Sequence, residues 1–261
     1  MIKRYIIKIN MTSIVIIPAR YHSTRFPGKP LCPLLGKPLI QHVYENSKKA
    51  HLIDEVFVAT DNESIFESVT SFGGKAIMTS MTHSSGTDRV AEVAALMDYD
   101  IIVNVQGDEP LIQPQMIDEV ISLLDDKRAS IGTLMKKIED PMDILDPNVV
   151  KVVVDKEGFA LYFSRSPIPF LRDEWKIRNS KFEIRDCSCY KHIGIYSYRK
   201  EALIALSRME PTELERLEKL EQLRALEHGM KIKIKETFFE TYGVDTPEDL
   251  ERVKKCLSTS L

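Results

Sequence analysis

Three fixed cations stand close together in one short run: Arg20, Arg25 and Lys29, in Pro18-Ala-Arg-Tyr-His-Ser-Thr-Arg-Phe-Pro-Gly-Lys-Pro30. Such a loop suits a polyphosphate. Arg presents planar forks to phosphate oxygens and Lys a point charge, while Ser23, Thr24 and backbone amides can add hydrogen bonds. The spacing is not that of a Walker phosphate loop and glycine is sparse, so an ordinary solvated basic loop fits the same residues. A second cluster is acidic. Gln106-Gly-Asp-Glu-Pro110 follows the apolar run 101–105, so Asp108 and Glu109 emerge from the end of a buried strand, and Gly107 permits a close approach. A carboxylate there suits Mg2+, which takes one or two carboxylates together with phosphate oxygens and waters. A plain turn with helix N-terminal acids is the alternative. Asp245, in Tyr242-Gly-Val-Asp-Thr-Pro247, is an isolated aspartate after a strand and before a helix, a place that also suits a surface turn residue. Taken with the cationic loop, the two aspartates make a site for a nucleoside triphosphate and Mg2+ the economical explanation.

The elements that must hold these groups read as a sheet covered by helices. Short apolar runs at 14–17, 56–58 and 101–105 alternate with helical periodicity at 39–44, 65–72, 90–97 and 116–124, the pattern of βα units in a parallel sheet. Gly73-Gly74 supplies a left-handed helix stop and Pro114 a favoured first turn. In open sheets of this kind ligands bind beyond the carboxyl ends of the strands, where the cationic loop and Asp108 both fall. After about residue 125 the pattern changes. Runs at 131–135, 149–154, 159–163 and 193–198 are β-rich, with no long helical pattern until Lys200. Leu214, Leu217, Leu220, Leu223 and Leu226 then form one helix stripe stopped by Gly229, and Lys231, Lys233 and Lys235 alternate with apolar residues as on a half-exposed strand. Thr246, Pro247 and Asp249 open a final helix as N-cap, N1 and N3. The expected fold is α/β: a Rossmann-like nucleotide-binding core of residues 11–125 and 228–261, its mixed, mostly parallel sheet flanked by helices, with a β-rich inserted subdomain at 126–227.

Composition bounds the function. The 261 residues are 43% hydrophobic, enough for a sizeable core without disulfides or structural metal. The formal charge is −3, so no global field favours a nucleic acid and any anion site must be local. No apolar run is long enough to span a membrane, and Lys8 interrupts the first residues too early for a signal sequence. Residues 1–10 read as an extension or a mis-assigned start ahead of Met11. Cys32, Cys187, Cys189 and Cys256 show no paired metal-binding spacing, and a reduced cytoplasmic chain is the simpler reading, although Cys187-x-Cys189 could be redox-active or bind metal.

The residues also carry a resemblance. Pro18-Ala-Arg20, Ser23-Thr-Arg25 and Pro27-Gly-Lys-Pro-Leu31, Thr60-Asp61, His83 with Ser85-Gly-Thr-Asp-Arg-Val-Ala-Glu92, Asn104-Val-Gln-Gly-Asp-Glu-Pro110, Ser164-Arg-Ser-Pro-Ile-Pro169, His192-Ile-Gly-Ile-Tyr196, Leu220-Glu-Gln-Leu-Arg224 and Gly243-Val-Asp-Thr-Pro247 are similar, in order and over about 13–257, to the motif series of the 3-deoxy-manno-octulosonate (Kdo) cytidylyltransferases. That resemblance implies a fold of the nucleotide-diphospho-sugar transferase type and the reaction CTP + Kdo giving CMP-Kdo + diphosphate, by in-line attack of the anomeric hydroxyl on the α-phosphorus, for lipopolysaccharide synthesis. Arg20, Arg25 and Lys29 would hold the triphosphate and the Pro18–Ala19 backbone would lie near the cytosine. Asp108 and Asp245 would bind Mg2+, with Lys29, Arg20, Asp108 and Asp245 the catalytic set and no dedicated base. Ser85, Gly86 and Arg89 would line the CTP site, although the segment reads generically as a loop and helix cap. Gln106 would meet either substrate. Arg165 would grip the sugar carboxylate, and His192, Tyr196, Glu221 and Gln222 its hydroxyls; a structural histidine, a packed tyrosine and a solvated helix face are the alternatives for these. Met81 and Ser84 depart from the family pattern, where proline is expected. The inserted subdomain 126–227 would serve the sugar and dimerisation, and its least recognisable segment, 175–189, would be a lid or part of a homodimer interface. An 8-amino analogue of Kdo, a sialic-acid-type substrate, or an inactive nucleotide-binding homodimer are the rival readings.

Overall fold

The computed structural model describes residues 11–22, 26–172, 176–178, 181–183 and 189–259. Nine strands form one sheet: β1 (Ser13–Ala19), β2 (Glu55–Thr60), β3 (Ala76–Met78), β4 (Ile101–Asn104), β5 (Ile131–Lys137), β6 (Lys151–Val154), β7 (Ala160–Ser164), β8 (Tyr190–Arg199) and β9 (Ile232–Glu236). The order is β9-β5-β8-β4-β1-β2-β3, with β6 pairing β8 and β7. Strands β4, β1, β2 and β3 run parallel, as does β5 with β9, while β8 is antiparallel to both β4 and β5. This is the expected mixed, mostly parallel sheet.

Alternation along β1 divides the core. Val15 and Ile17 belong to one apolar cluster, Ile14 and Ile16 to the other, and all four are fully buried. Helices α1 (Leu39–Ser47) and α4 (Pro114–Ser122) cover the first face, and α3 (Gly86–Ala95) and α5 (Lys200–Ser207) the second, which is why both faces of β1 read as one unbroken hydrophobic run. Helix α2 (Glu63–Ser71) is capped by Asn62, whose side chain accepts from the Ile65 amide, and stops at Gly73 with φ 80°. Helix α8 (Pro247–Thr259) opens as the sequence predicts, with Thr246 and Asp249 in reciprocal hydrogen bonds.

Three features differ from expectation. The leucine stripe does not make one helix: α6 (Glu213–Glu218) ends at Lys219, whose φ of 55° is left-handed, and α7 (Gln222–Glu227) starts anew. The break leaves Leu217 72% exposed while Leu220 and Leu223 are buried. The sheet also runs on without interruption into residues 126–227, since β5, β6, β7 and β8 all lie in it. Finally, Cys32 and Cys256 form no disulfide, but Cys189 is buried and disulfide-bonded, against the reading of a fully reduced chain. Most of the segment 175–189, with Trp175 and Cys187, lies outside the described residues, apart from a two-strand pairing of Lys176–Arg178 with Lys181–Glu183.

Candidate active site

Two strand ends meet at the centre of the site. β1 delivers Ala19 and Arg20, and the turn after β4 delivers Gln106, Gly107 and Asp108. They approach so closely that a Cβ on Gly107 would stand 2.7 Å from the Pro18 carbonyl oxygen. Glycine is required there by contact rather than by backbone conformation. Lys29 reaches across this junction and donates to Asp108 Oδ2 at 2.6 Å and to Asp245 Oδ1 at 3.3 Å, its side chain only 12% exposed. The loop carrying Asp245 is fastened on both sides of it. Val244 N donates to the Asp108 carbonyl at 2.9 Å, Asp249 accepts from the amides of Asp245 and Thr246, and Glu240 is gripped by Lys136 and Lys191 at 2.7 and 2.8 Å.

A cavity of about 410 Å³ opens beside this triad, walled by Ala19, Arg20, Lys29, Gly86, Gln106 and Asp108. Arg20 donates through Nη1 to the Ser84 carbonyl at 3.2 Å, and its buried Nη2 has no hydrogen-bond partner. An unsatisfied guanidinium nitrogen beside a cavity is a donor waiting for an acceptor. Ser85 caps α3 in a capping box with Asp88, and a Cβ added at Gly86 would stand 3.4 Å from the Pro18 ring. Arg25 lies outside the described residues.

Gln106 also borders a second, smaller cavity of about 210 Å³, walled by Thr87, Asn104, Tyr196, Glu221 and Gln222 among others. Tyr196 stands opposite Asn104 in the β8–β4 ladder, just past an irregularity between Ile193 and Tyr196 in the pairing of β8 with β5. Thr133 stitches that bulge by donating to the Ile195 carbonyl at 2.7 Å. Its hydroxyl oxygen is then free to accept from His192 Nε2, 2.9 Å away. Burial holds the His192 pKa down to about 3, so the imidazole is neutral, and its ring lies 5.3 Å from that of Tyr196. His192 is thus placed as the alternative reading had it, bonded within the sheet behind Tyr196. Burial, reinforced by the Glu221 charge, raises the Tyr196 phenol. Burial likewise lifts Glu221, opposed by hydrogen bonds from Thr87 and Ser85, so this carboxyl ties the start of α3 to the start of α7.

Two of the arginines that the resemblance assigns to substrates make bonds within the chain. Arg89, expected at the CTP site, is fully buried and gives its guanidinium to Asp61 at 2.6 Å and to Thr79, so it has no surface to offer a nucleotide. Arg165, expected on the sugar carboxylate, donates to the carbonyls of Glu218, Pro147 and Lys219 at 2.7, 2.8 and 3.5 Å. Sequence reasoning gave no separate role to two further groups. Asn104 is buried with its Oδ1 unpartnered at the second cavity, and the signal was a lone amide inside an otherwise apolar strand. Glu109, beside Asp108, is buried with an unpartnered Oε2, and desolvation, then the Asp108 charge, pushes its pKa up to about 8.

Comparison with known proteins agrees with this geometry. The cytidylyltransferase family model matches residues 14–232. The 3-deoxy-manno-octulosonate cytidylyltransferase of Geobacter metallireducens is 58% identical over 250 residues, 95% of this chain and 98% of that protein. The protein of the same name from Thermodesulfovibrio yellowstonii is 54% identical over 257 residues, covering 95% and 99%. A solved CMP:2-keto-3-deoxy-manno-octonic acid synthetase complexed with CTP superposes with a TM-score of 0.88 at 42% identity, covering 96% of this chain and all of that one. A 4-diphosphocytidyl-2C-methyl-D-erythritol synthase from Anaerococcus prevotii, at 14% identity and a TM-score of 0.61 over 95% and 99% of the two chains, shares the fold alone.

Proposed function

The chain belongs to the cytidylyltransferase family, among the 3-deoxy-manno-octulosonate enzymes, and we infer from this and from its two adjoining cavities how it joins CTP to Kdo, giving CMP-Kdo and diphosphate. The observation that carries the reading is the Lys29 triad. Two carboxylates from loops far apart in sequence converge on one cation, at the mouth of a cavity walled by Arg20 and the end of β1. In this reading the larger cavity takes the nucleotide, with Arg20, Arg25 and Lys29 on the triphosphate and the Pro18–Ala19 backbone, Ser85 and Gly86 around the cytidine. The smaller cavity takes the sugar, bounded by Asn104, Tyr196, Glu221 and Gln222. Gln106, on both walls, sets the anomeric hydroxyl against the α-phosphorus.

Asp108 and Asp245 fit Mg2+ on their chemistry. Both are hard oxygen donors, already held within reach of one positive charge, and two carboxylates are what Mg2+ takes when phosphate oxygens and water complete its shell. When bound, the ion would neutralise charge developing on the transferred phosphoryl group and the departing diphosphate. The chain's own groups position and shield. The new bond joins the anomeric oxygen to the α-phosphorus, the bond from that phosphorus to the β-phosphate bridge breaks, and the hydroxyl proton leaves to solvent. Such displacements rest mostly on alignment and electrostatics. No general base is invoked: His192 is neutral, but its Nε2 is engaged with Thr133. We further propose a cytoplasmic homodimer supplying activated Kdo for lipopolysaccharide; no helix among the described residues is long and apolar enough to cross a membrane.

The test is diphosphate release with each of four nucleoside triphosphates crossed with Kdo, 8-amino-Kdo and a sialic acid. The expected outcome is Mg2+-dependent turnover with CTP and Kdo, lost in Asp108→Asn and Asp245→Asn while the far-ultraviolet spectrum is unchanged. Faster turnover with ATP or UTP would refute the base assignment, and unchanged activity in both aspartate variants would remove them from the metal site. Elution of the purified protein at the mass of one chain would reject the dimer.

A further inference from the structure

Lys136 and Lys191 stand directly opposite each other in the β5–β8 ladder, their side chains only 14% and 20% exposed. Like charges in that relation repel. The charge that relieves them comes from outside the sheet: Glu240, in the loop between β9 and α8, sets one carboxylate oxygen against each ammonium, 2.7 Å from Lys136 and 2.8 Å from Lys191. Glu139 and Asp143 reach the same lysines at 3.8 Å, so the close contacts belong to Glu240. Burial alone would raise the Glu240 carboxyl, yet the hydrogen bonds from the two lysines hold it below the ordinary carboxylate range. Side chains alternate along a strand, and His192, next to Lys191, packs against Phe163 and Tyr196. The clamp therefore lies on the face of β8 turned away from the smaller cavity. What it holds is the chain that leads to Asp245. Residues 237–246 are tied at Thr237 to the Met135 carbonyl, at Glu240 to the two lysines and at Val244 to the Asp108 carbonyl. Without the middle tie the run from 238 to 243 must be ordered from its ends alone, and Gly243 adds backbone freedom beside the second of these.

We propose that Glu240 is a positioning residue: bound between Lys136 and Lys191, it fixes the loop that brings Asp245 to Lys29 beside Asp108. This rests on the reading of Asp245 as a Mg2+ ligand. Mg2+ accepts little departure from octahedral oxygen geometry, so two carboxylates from separate loops serve it together only when both loops are fixed. Asp108 is set by the turn at the end of a buried strand. Asp245 is set by a loop, and the ties of that loop decide whether the second carboxylate is in place.

The experiment is a double-mutant cycle of Glu240→Gln and Asp245→Asn, read in two ways that need no turnover. One is amide hydrogen exchange across 238–246 in the protein free of substrate and metal. The other is the gain in CTP affinity that Mg2+ confers, from calorimetric titrations with and without the ion and in the absence of Kdo. Glu240→Gln is expected to speed exchange across the loop about tenfold. It should cut the Mg2+ gain about fivefold while CTP affinity without the ion stays within about twofold of wild type. On the Asp245→Asn background Glu240→Gln should cut the gain no further, because its effect passes through a carboxylate already removed. Lys191→Met leaves Glu240 one close partner, should move both readouts in the same direction, and serves where Glu240→Gln does not fold. Exchange or gain unchanged by Glu240→Gln would overturn the proposal. So would a further loss of the gain on the Asp245→Asn background, which would give Glu240 a general structural role instead. A wild-type chain whose CTP affinity is indifferent to Mg2+ would defeat the reading of Asp245 as a metal ligand, and the exchange result would still decide whether Glu240 holds the loop.

Discussion

His192 gives the sharpest handle on stability, because its pKa is held at about 3 in the folded chain against 6.5 for the free side chain. The cause is desolvation in a sheet environment, with Phe163 edge-on at 5.1 Å and Tyr196 at 5.3 Å. In the folded state the ring stays neutral at any pH well above 3; in the unfolded state it takes a proton once the pH falls below 6.5. The unfolded state therefore binds more protons between these values, and stability is complete above 6.5 and falls as the pH drops toward 3. Each pH unit in that window is worth about 1.4 kcal/mol for one proton. Between pH 7 and 4.5 the wild type should lose up to about 2.5 kcal/mol through this residue alone, an upper bound because the ring is half-buried rather than sealed. The perturbation is His192→Gln, whose amide can still donate to Thr133 but takes no proton. Urea melts of both proteins at half-unit steps from pH 4.5 to 8 isolate the effect, since the chain's other titrating groups are shared. The stability difference between wild type and variant should shift by roughly 1.5 to 2.5 kcal/mol in favour of the variant on going to pH 4.5. Parallel curves, constant to within about 0.5 kcal/mol, would show that water or a compensating charge reaches the imidazole and that the desolvation argument fails.

Two other outcomes follow from contacts at the strand ends. Gly107→Ala would drive a methyl to 2.7 Å from the Pro18 carbonyl, a backbone atom that cannot swing aside, so a loss of about 1–3 kcal/mol with weakened CTP binding is expected by thermal melt and nucleotide titration. Gly86→Ala, whose Cβ would meet only the Pro18 ring at 3.4 Å, is the control and should change little in stability. Arg89→Met leaves the Asp61 carboxylate without its buried partner and should cost about 3–5 kcal/mol in urea, with Asp61→Asn on the same background recovering much of it.

How far the sequence could be read depended on whether a signal was local. The alternation of β1, the Gly73 stop and the Thr246 cap are set by neighbouring residues and were legible. So were the cationic loop and both aspartates, because strand ends declare themselves by polar residues after apolar runs. Lys219 was not. A leucine stripe at helical spacing continues through it, and the contacts made at the break, from Ser164 and Arg165 at the end of β7 to Glu218, come from far away in sequence. The same nonlocality governs Arg89 and Arg165, whose partners within the chain lie far off in sequence. A guanidinium that meets a carbonyl and one that meets a substrate look alike in a sequence, and the difference lies in which backbone the fold carries past it. Asn104 and Glu109 became notable only when burial left an oxygen of each unpartnered.

The sheet registers have a consequence for the life of the newly made chain. Ser13 pairs with Ile101, Asn104 waits for Tyr196, and Ile131 for Ile232, so no stretch of the sheet's centre closes on near neighbours. Folds built on such distant pairings gain little until late and fold slowly. During synthesis Lys29 emerges before β8 shapes the sugar wall, and Asp245, which completes the Lys29 triad, follows Lys29 by 216 residues. A ribosome-bound chain therefore carries Lys29 without its second carboxylate while those residues are made, and the triad closes only once the loop that bears Asp245 has emerged.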